Sequence, residues 1–201
     1  MHRHTLTWMV LVLVGTFFVA TAVAGQYSNQ EIFDQAASLA RQQQMPPEKA
    51  KRLINGLKAF FPDAWFQAQV KKQPVRAVFV YGAGGGGFVV KFMKGKGLVS
   101  FKSGRQAARM YVQGWSGGAV SGGSMEWAIG LVMGLPREAD FGGDYVGNLR
   151  QATAGDETAA SGMFLESQKQ APASHALYIL VSSRGLSAEA GQIRLKVTPG
   201  W

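Results

Sequence analysis

The spacing of hydrophobic residues changes once along the chain, near Pro74. Before this point, apolar residues recur every three or four positions, as expected for amphipathic helices. Ser28 and Glu31 form a capping box in front of the first apolar stripe, and Pro47 can start a second helix. The stretch 27–72 therefore predicts two or three helices.

The second predicted helix is basic as well as amphipathic. Its apolar face consists of Ala50, Leu53, Ile54, Leu57 and Phe61, and its basic side chains are Lys49, Lys51, Arg52 and Lys58. Two arrangements fit this pattern. The helix either packs on the domain with a solvated basic face, or lies on an anionic membrane surface.

After Pro74 the hydrophobic period becomes two, which is typical of β-strands. Short runs such as "VRAVFVY" and "QIRLKV" are separated by glycine, lysine and serine. In "MEWAIGLVMGL", residues 125–135, large side chains alternate with small ones, so both faces of this strand should be buried. The sequence predicts a mainly β (α+β) fold, a compact antiparallel β-barrel-like or sandwich domain preceded by two or three N-terminal helices.

The first 24 residues have the pattern of a secretory signal peptide. A short region, "MHRH", precedes an uncharged apolar stretch from Leu6 to Ala20, and Ala22 and Ala24 form a small-x-small cleavage pattern. We therefore expect a periplasmic protein that is cleaved before Gly25. The alternative is an inner-membrane anchor formed by an uncleaved N-terminal segment, which is nearly long enough to span a bilayer.

These patterns divide the chain into three parts. They are a signal peptide at 1–24, an N-terminal helical segment at 25–74 and a β domain at 75–201. The chain has no cysteine, so it lacks both a disulfide framework and the lipid acceptor of a bacterial lipoprotein. The residues after the signal peptide suffice for one domain with a hydrophobic core.

Gly82, Gly84 and Gly87 spell GxGxxG, the glycine pattern of dinucleotide-binding loops. Such a loop needs a helix directly after the glycines, because the helix N-terminus holds the pyrophosphate. Here the strand-like segment "FVVKFMKGKG" follows, and no acidic residue occurs between these glycines and Glu126. We therefore expect no cofactor, and interpret the glycines as residues that let a strand turn or bulge with positive φ.

A second motif, "GWSGG", matches the GxSxG pattern of serine hydrolases through Gly114, Ser116 and Gly118. His175 could complete the catalytic order together with one of three aspartates, Asp140, Asp144 or Asp156. However, a nucleophile elbow lies between a strand and a helix, whereas this segment leads through glycines into another strand. We expect a non-enzymatic protein and keep a serine hydrolase using Ser116 as the least favoured alternative.

With one histidine after the signal peptide and no cysteine, the sequence also predicts no zinc or iron site.

The distribution of charge along the chain indicates the kind of partner. The chain has a net charge of +9, and residues 41–109 carry 14 Lys or Arg against Glu48 and Asp63. Such a localised positive field indicates an anionic partner. Export argues against nucleic acid, which leaves anionic lipid, glycan or an acidic protein.

Three glycine-containing segments follow one another after the second predicted helix: "RAVFVYGAGGGGFVVKFMKGKGLVSF", "MYVQGWSGGAVSGGSMEWAIGLVMGLP" and "LYILVSSRGLSAEAGQIRLKVT". In order and spacing, they resemble the SYLF (Ysc84-like) lipid-binding domain. The resemblance covers about residues 50–198. It departs from the family where "YGAG" replaces a proline after the first strand and where Lys96 replaces an acidic residue. In addition, "YSNQEIFDQA" is similar to the start of the EipA-like (DUF1134) exported envelope proteins, which form small β-barrels.

The SYLF resemblance implies a compact β domain with N-terminal helices. In eukaryotic members it also implies phosphoinositide binding through basic residues of the helical part. In the envelope of a Gram-negative bacterium, the corresponding ligand would be anionic phospholipid or lipopolysaccharide phosphate. A structural or assembly module whose partner is another envelope protein or peptidoglycan is the alternative.

We therefore expect an exported protein that binds anionic lipid headgroups peripherally through a basic surface. The predicted lipid-binding residues are Lys49, Lys51, Arg52, Lys58, Lys71, Lys72, Lys91, Lys94, Lys96, Lys102, Arg105 and Arg109.

Overall fold

The computed structural model describes residues 26–87, 90–104, 106–117, 120–152, 161–182 and 192–201. The predicted signal peptide, Arg105, Gly118 and Asp156 therefore lie outside the described residues. The side chains of Lys91 and Ser116 also lie outside the description, although both residues belong to strands.

Within the described residues, three helices precede the β domain, as the hydrophobic pattern predicts. They are α1 (Asn29–Gln42), α2 (Pro47–Phe60) and α3 (Ala64–Lys72). At the start of α1, the capping box is complete, since Ser28 and Glu31 each accept a hydrogen bond from the other's backbone N–H. Pro47 is the first residue of α2, and Asp63 caps α3 by accepting from the Phe66 N–H. Each helix thus starts at a residue suited to that position.

Eight strands follow in the part of the chain that the structure describes. They are β1 (Val75–Gly87), β2 (Val90–Phe101), β3 (Ala108–Gly117), β4 (Val120–Met133), β5 (Gly143–Ala152), β6 (Ser161–Ser167), β7 (Ala176–Ser182) and β8 (Ile193–Pro199). A short 3₁₀ helix, Glu138–Asp140, lies between β4 and β5. The strands form a closed antiparallel barrel in the order β1-β2-β3-β8-β5-β6-β7-β4. The predicted β-barrel with N-terminal helices is therefore confirmed, in its barrel and not its sandwich form.

The barrel has two ends. We call the end where β1 begins at Val75 the base, and the end where β1 finishes at Gly87 the rim. The connections β2–β3, β4–β5 and β6–β7 are at the base, because successive strands run in opposite directions. Strands β1, β3, β5 and β7 end at the rim, and β2, β4, β6 and β8 begin there.

The alternating pattern of β4 is confirmed, since its two faces are buried in different layers. The large residues Trp127, Ile129 and Leu131 pack under the helices. The small residues of the other face point into the barrel, where the Phe79 ring of β1 lies against Gly130. A Cβ atom added at Gly130 would lie 2.0 Å from Cζ of Phe79. The small face of β4 therefore leaves room for an aromatic ring inside the barrel.

The apolar face of the basic amphipathic helix α2 packs on the barrel and is not exposed for contact with a membrane. Leu53, Leu57 and Phe60 are buried against the outer face of β4 and β7. The Phe60 ring meets Tyr178 of β7 edge to face, with 5.9 Å between the ring centroids. The apolar side chains of α2 thus form part of the hydrophobic core.

The interpretation of the GxGxxG glycines is correct in part. Gly82, Gly84 and Gly87 lie in β1, and the strand β2 follows where a nucleotide-binding fold would have a helix. The β1–β4 register shifts between Gly85 and Gly87, as expected for a bulge. The expected positive φ is wrong for Gly82 and Gly84, because the strand stays extended through them.

Candidate functional site

Helix α1 covers the base half of β2, where Leu98 packs under the helices, but the rim half of β2 and the outer surfaces of β3 and β8 are open to solvent. Among the described side chains, three aromatic rings are exposed there, with accessible fractions of 43% for Phe92, 49% for Tyr111 and 37% for Trp115. Basic side chains are exposed between and beside them. We call this surface the aromatic–basic face, and it consists of Phe92, Lys94, Lys96, Arg109, Tyr111, Trp115, Arg194 and Lys196.

The strand register makes the aromatic–basic face continuous. Trp115 lies opposite Phe92 of β2 on one side and opposite Arg194 of β8 on the other. Tyr111 lies opposite Lys96 in the same way. Since directly opposed side chains on one face of a sheet are about 5 Å apart, the rings and cations are immediate neighbours.

Ring contacts hold part of this face in place. The Phe92 and Trp115 rings stack with 6.4 Å between their centroids and an angle of 10° between their planes. Lys94 Nζ lies 5.5 Å from the centroid of Phe92, within the range of a cation–π contact. The flat rings and a cation are therefore presented together to the solvent.

The charge of the aromatic–basic face is strongly positive. Its five basic residues are accompanied by one acidic neighbour in the β5–β8 register, where Asp144 lies opposite Lys196. An anionic surface or an anionic group would be attracted to this side of the barrel.

Three of the predicted lipid-binding residues, Lys94, Lys96 and Arg109, lie on the aromatic–basic face. The other described ones do not. The α2 residues are Lys49, Lys51, Arg52 and Lys58, and the α3 residues are Lys71 and Lys72. These helices cover β4, β6 and β7, on the other side of the closed barrel from β3 and β8. The structure therefore divides the predicted surface between two sides.

Lys102 has a different environment, at the base of the barrel. Its ammonium group pairs with the Glu31 carboxylate of α1 and lies 5.1 Å from the centroid of the Tyr27 ring. The hydrogen bond from Lys102, with those from Ser28, lowers the pKa of Glu31 to about 2. Lys102 thus fastens the helical segment to the β2–β3 turn.

Sequence reasoning missed Arg194, Lys196 and the three exposed aromatic residues of this face. The alternation in "QIRLKV" does place both cations on the polar side of β8, and this signal was visible. The residues that lie beside these two cations could not be predicted, because the pairing of β8 with β3 depends on barrel closure between segments far apart in the sequence.

A buried polar cluster lies near the base, around His175. The Tyr145 hydroxyl is 2.7 Å from His175 Nε2 and accepts a hydrogen bond from the Gly142 N–H. His175 Nδ1 lies 2.8 Å from the carbonyl oxygen of Ala173, so Nδ1 donates and Nε2 accepts from Tyr145. Burial lowers the pKa of His175 and raises that of Tyr145. The cluster thus stabilises the neutral form of the His175 imidazole.

The structure does not bring Ser116 and His175 together. Ser116 pairs with Ile193 at the rim, whereas the His175 carbonyl accepts from the Ser167 N–H at the base. A strand, β4, follows β3 in place of the helix of a nucleophile elbow. Of the hydrolase candidates, Asp140 is engaged in a bidentate ion pair with Arg137.

Two further features concern the part of the chain that the structure describes. Within it, no group of three or more His, Cys, Asp or Glu side chains is placed to hold a metal ion. Within the same residues, no helix has both the length and the apolar character needed to cross a membrane.

Comparisons with known proteins support the fold. No family model matches the chain, and no curated protein matches it, so the SYLF resemblance has no support from them. Among solved structures, the chain is similar to a β-barrel-like, uncharacterized protein from Brucella abortus, with 17% identity and a TM-score of 0.51. The match covers 88% of this chain and 97% of that one. The likeness shows the fold alone. It agrees with the small barrel that the EipA-like resemblance implies.

Proposed function

We propose that this protein is a non-enzymatic module of the cell envelope that docks peripherally on anionic lipid headgroups through its aromatic–basic face. One observation carries the proposal. The β2–β3–β8 register sets exposed lysines and arginines directly beside exposed aromatic rings on one side of the barrel.

This combination suits the boundary between water and lipid. Each Lys or Arg near an anionic membrane contributes about 1 kcal/mol of attraction. Aromatic side chains favour the headgroup level, because an apolar ring can enter the interface while polar groups stay hydrated. Phe92, Tyr111 and Trp115 would provide the apolar contact, and the cations around them would provide the attraction.

The proposal restricts the predicted binding surface, which included basic residues of both the helices and the strands, to the strands. The basic residues of α2 and α3 are on the other side of the barrel, so a flat membrane cannot contact both groups at once. The strand surface is favoured because it alone, of the two, combines cations with exposed aromatic rings among the described residues. The lysines of the helices then act as a solvated surface.

Export is part of the proposal. The signal pattern at residues 1–24 would direct the protein to the periplasm, where anionic phospholipid and lipopolysaccharide phosphate are the accessible anionic surfaces.

A second candidate function is assembly with another envelope protein. The exposed ring cluster favours it, since exposed apolar patches also mark protein interfaces.

Vesicle co-sedimentation tests the proposal. The mature protein should sediment with vesicles of phosphatidylglycerol and phosphatidylcholine, and should stay in the supernatant with pure phosphatidylcholine. Binding should fall when the salt concentration rises well above about 0.1 M, because the Debye length there is already only about 10 Å. Absence of binding to anionic vesicles at low salt would refute the lipid proposal and favour the protein partner.

A further inference from the structure

A groove of about 290 Å³ lies at the edge of the aromatic–basic face, across the outer surfaces of β3, β8 and β5. Trp115 forms one side of it, next to its cross-strand neighbour Arg194. Asp144, Gln168 and Gln192 also line the groove. Gln168 is held beside β5 because its backbone N–H donates to the Asp144 carbonyl over 2.9 Å.

The lining combines the flat apolar ring of Trp115 with planar polar groups. A carboxylate, two carboxamides and a guanidinium offer both donors and acceptors in fork-like pairs. Vicinal hydroxyls of a sugar also donate and accept in pairs, and the C–H groups of a pyranose form an apolar face that can lie on an indole ring. We propose that this groove binds one uncharged pyranose ring of an envelope glycan.

The size of the groove sets the length of the ligand. Small-molecule sites have volumes of about 300–1,000 Å³, so this groove, at about 290 Å³, lies just below that range. It has room for one ring, and the rest of a glycan would extend into solvent. The groove thus suits a single sugar unit within a longer chain.

The charges in the groove favour an uncharged sugar over an anion or an acyl chain. Asp144 and Arg194 carry opposite charges, so the lining has no excess of positive charge to attract a phosphate. Arg194 Nη2 also lies 3.4 Å from Gln192 Oε1. An acyl chain would remove these polar groups from water without replacing their hydrogen bonds, which is costly.

This inference does not rest on lipid binding. Trp115 and Arg194 belong to both surfaces, whereas Asp144 and Gln168 belong to the groove alone. Lipid attraction depends on net charge and therefore on salt. Stacking and hydrogen bonding to an uncharged sugar do not depend on net charge, so the two activities can be separated by salt and by mutation.

The test uses two uncharged probes, tri-N-acetylglucosamine and maltotriose, with the mature protein. Saturation-transfer NMR should show contact with one sugar unit of at least one probe, unchanged between about 0.1 M and 1 M salt. Trp115→Ala and Gln168→Ala should each weaken binding by about tenfold, which corresponds to about 1.4 kcal/mol. Trp115→Phe should restore part of the affinity because it keeps a flat ring.

Tyr111→Ala is the matched control, because Tyr111 is an exposed aromatic residue of the same strand that does not line the groove. It should leave sugar binding unchanged. Failure of both probes to bind, salt-sensitive binding, or an equal loss in Tyr111→Ala would overturn the inference. Lys94→Glu with Lys96→Glu should weaken vesicle binding but not sugar binding, so failure of one activity does not imply failure of the other.

Discussion

The Tyr145 hydroxyl donates a hydrogen bond to Nε2 of His175 over 2.7 Å, inside the base of the barrel. The same hydroxyl accepts from Gly142, and the other ring nitrogen of His175 donates to Ala173. A second proton on the imidazole would turn Nε2 into a donor. The buried Tyr145 hydroxyl would then have to find another acceptor.

The first prediction is a loss of stability in mild acid. Burial lowers the pKa of His175 below 6.5, and this outweighs the hydrogen bond to the Ala173 carbonyl, which raises the pKa; Lys169 lowers it and Asp140 raises it by smaller amounts. The unfolded state therefore binds the proton more readily, and the stability contribution is present above about pH 6.5 and lost as the pH falls below it. Chemical denaturation between about pH 7.5 and 5 should show this decrease.

His175→Gln is the control for this pH dependence. It keeps an acceptor for Tyr145 but does not titrate, so its stability should be nearly constant over the same pH range. It should cost about 1–3 kcal/mol at neutral pH, because buried polar contacts are remade imperfectly. An unchanged pH slope in His175→Gln would assign the effect to other groups.

The second prediction concerns the contact between Phe79 and Gly130. A methyl group at Gly130 would overlap the Phe79 ring, which is enclosed in the barrel. Gly130→Ala should therefore destabilise the protein by about 1–3 kcal/mol. The measurement is the free energy of unfolding in urea.

Two variants sharpen this test. Gly84→Ala adds the same methyl group where no atom lies within 4 Å of the new Cβ, and should change stability by at most about 0.5 kcal/mol. Adding Phe79→Leu to Gly130→Ala should recover part of the loss, because a smaller side chain leaves room for the methyl group. Strict additivity of the two changes would show that the contact is not the cause.

The third prediction concerns the attachment of α1 to the barrel through Glu31 and Lys102. NMR titration should give Glu31 a pKa of about 2, and Lys102→Met should move it toward 4.5. Since the folded pKa is the lower one, the stabilising effect is present above about pH 4.5 and lost as the pH falls toward 2. Lys96→Met should leave the pKa of Glu31 low. The same low pKa in Lys102→Met would remove Lys102 as its main cause.

The fourth prediction concerns export. The mature protein should begin at Gly25 and occur in the soluble periplasmic fraction, because a small-x-small pattern follows the apolar stretch. N-terminal sequencing and fractionation check this. Full-length chain in washed membranes would support the uncleaved anchor.

The fold was largely predictable because local patterns decide it. The capping box at Ser28, the proline at the start of α2 and the alternation in β4 each act over a few residues. The candidate site was predictable only in part. The Lys94 and Lys96 positions follow from the charge pattern, but their placement beside Tyr111 and Trp115 depends on the β2–β3 register.

The buried cluster at the base also could not be predicted from the sequence. His175 lies in a stretch that reads as a loop, and nothing near it in the sequence indicates a buried partner. Its contact with Tyr145 depends on the closed barrel, which brings the end of β6 and the start of β7 to the start of β5. Long-range pairing, and not local propensity, decides such contacts.

The central claim is that the aromatic–basic face, and not the helices, contacts anionic lipid. The matched variants are a strand triple mutant (Lys94→Glu, Lys96→Glu, Lys196→Glu) and a helix triple mutant (Lys49→Glu, Lys51→Glu, Lys71→Glu). Both change the net charge equally, so only the location of the change differs. Thermal unfolding should first show that both remain folded.

Co-sedimentation with phosphatidylglycerol-containing vesicles at about 0.1 M salt is the decisive measurement, since long-range attraction is largely screened there. The strand triple mutant should lose most of its vesicle binding, and the helix triple mutant should keep most of it. An equal loss in both variants, or a greater loss in the helix triple mutant, would contradict the claim.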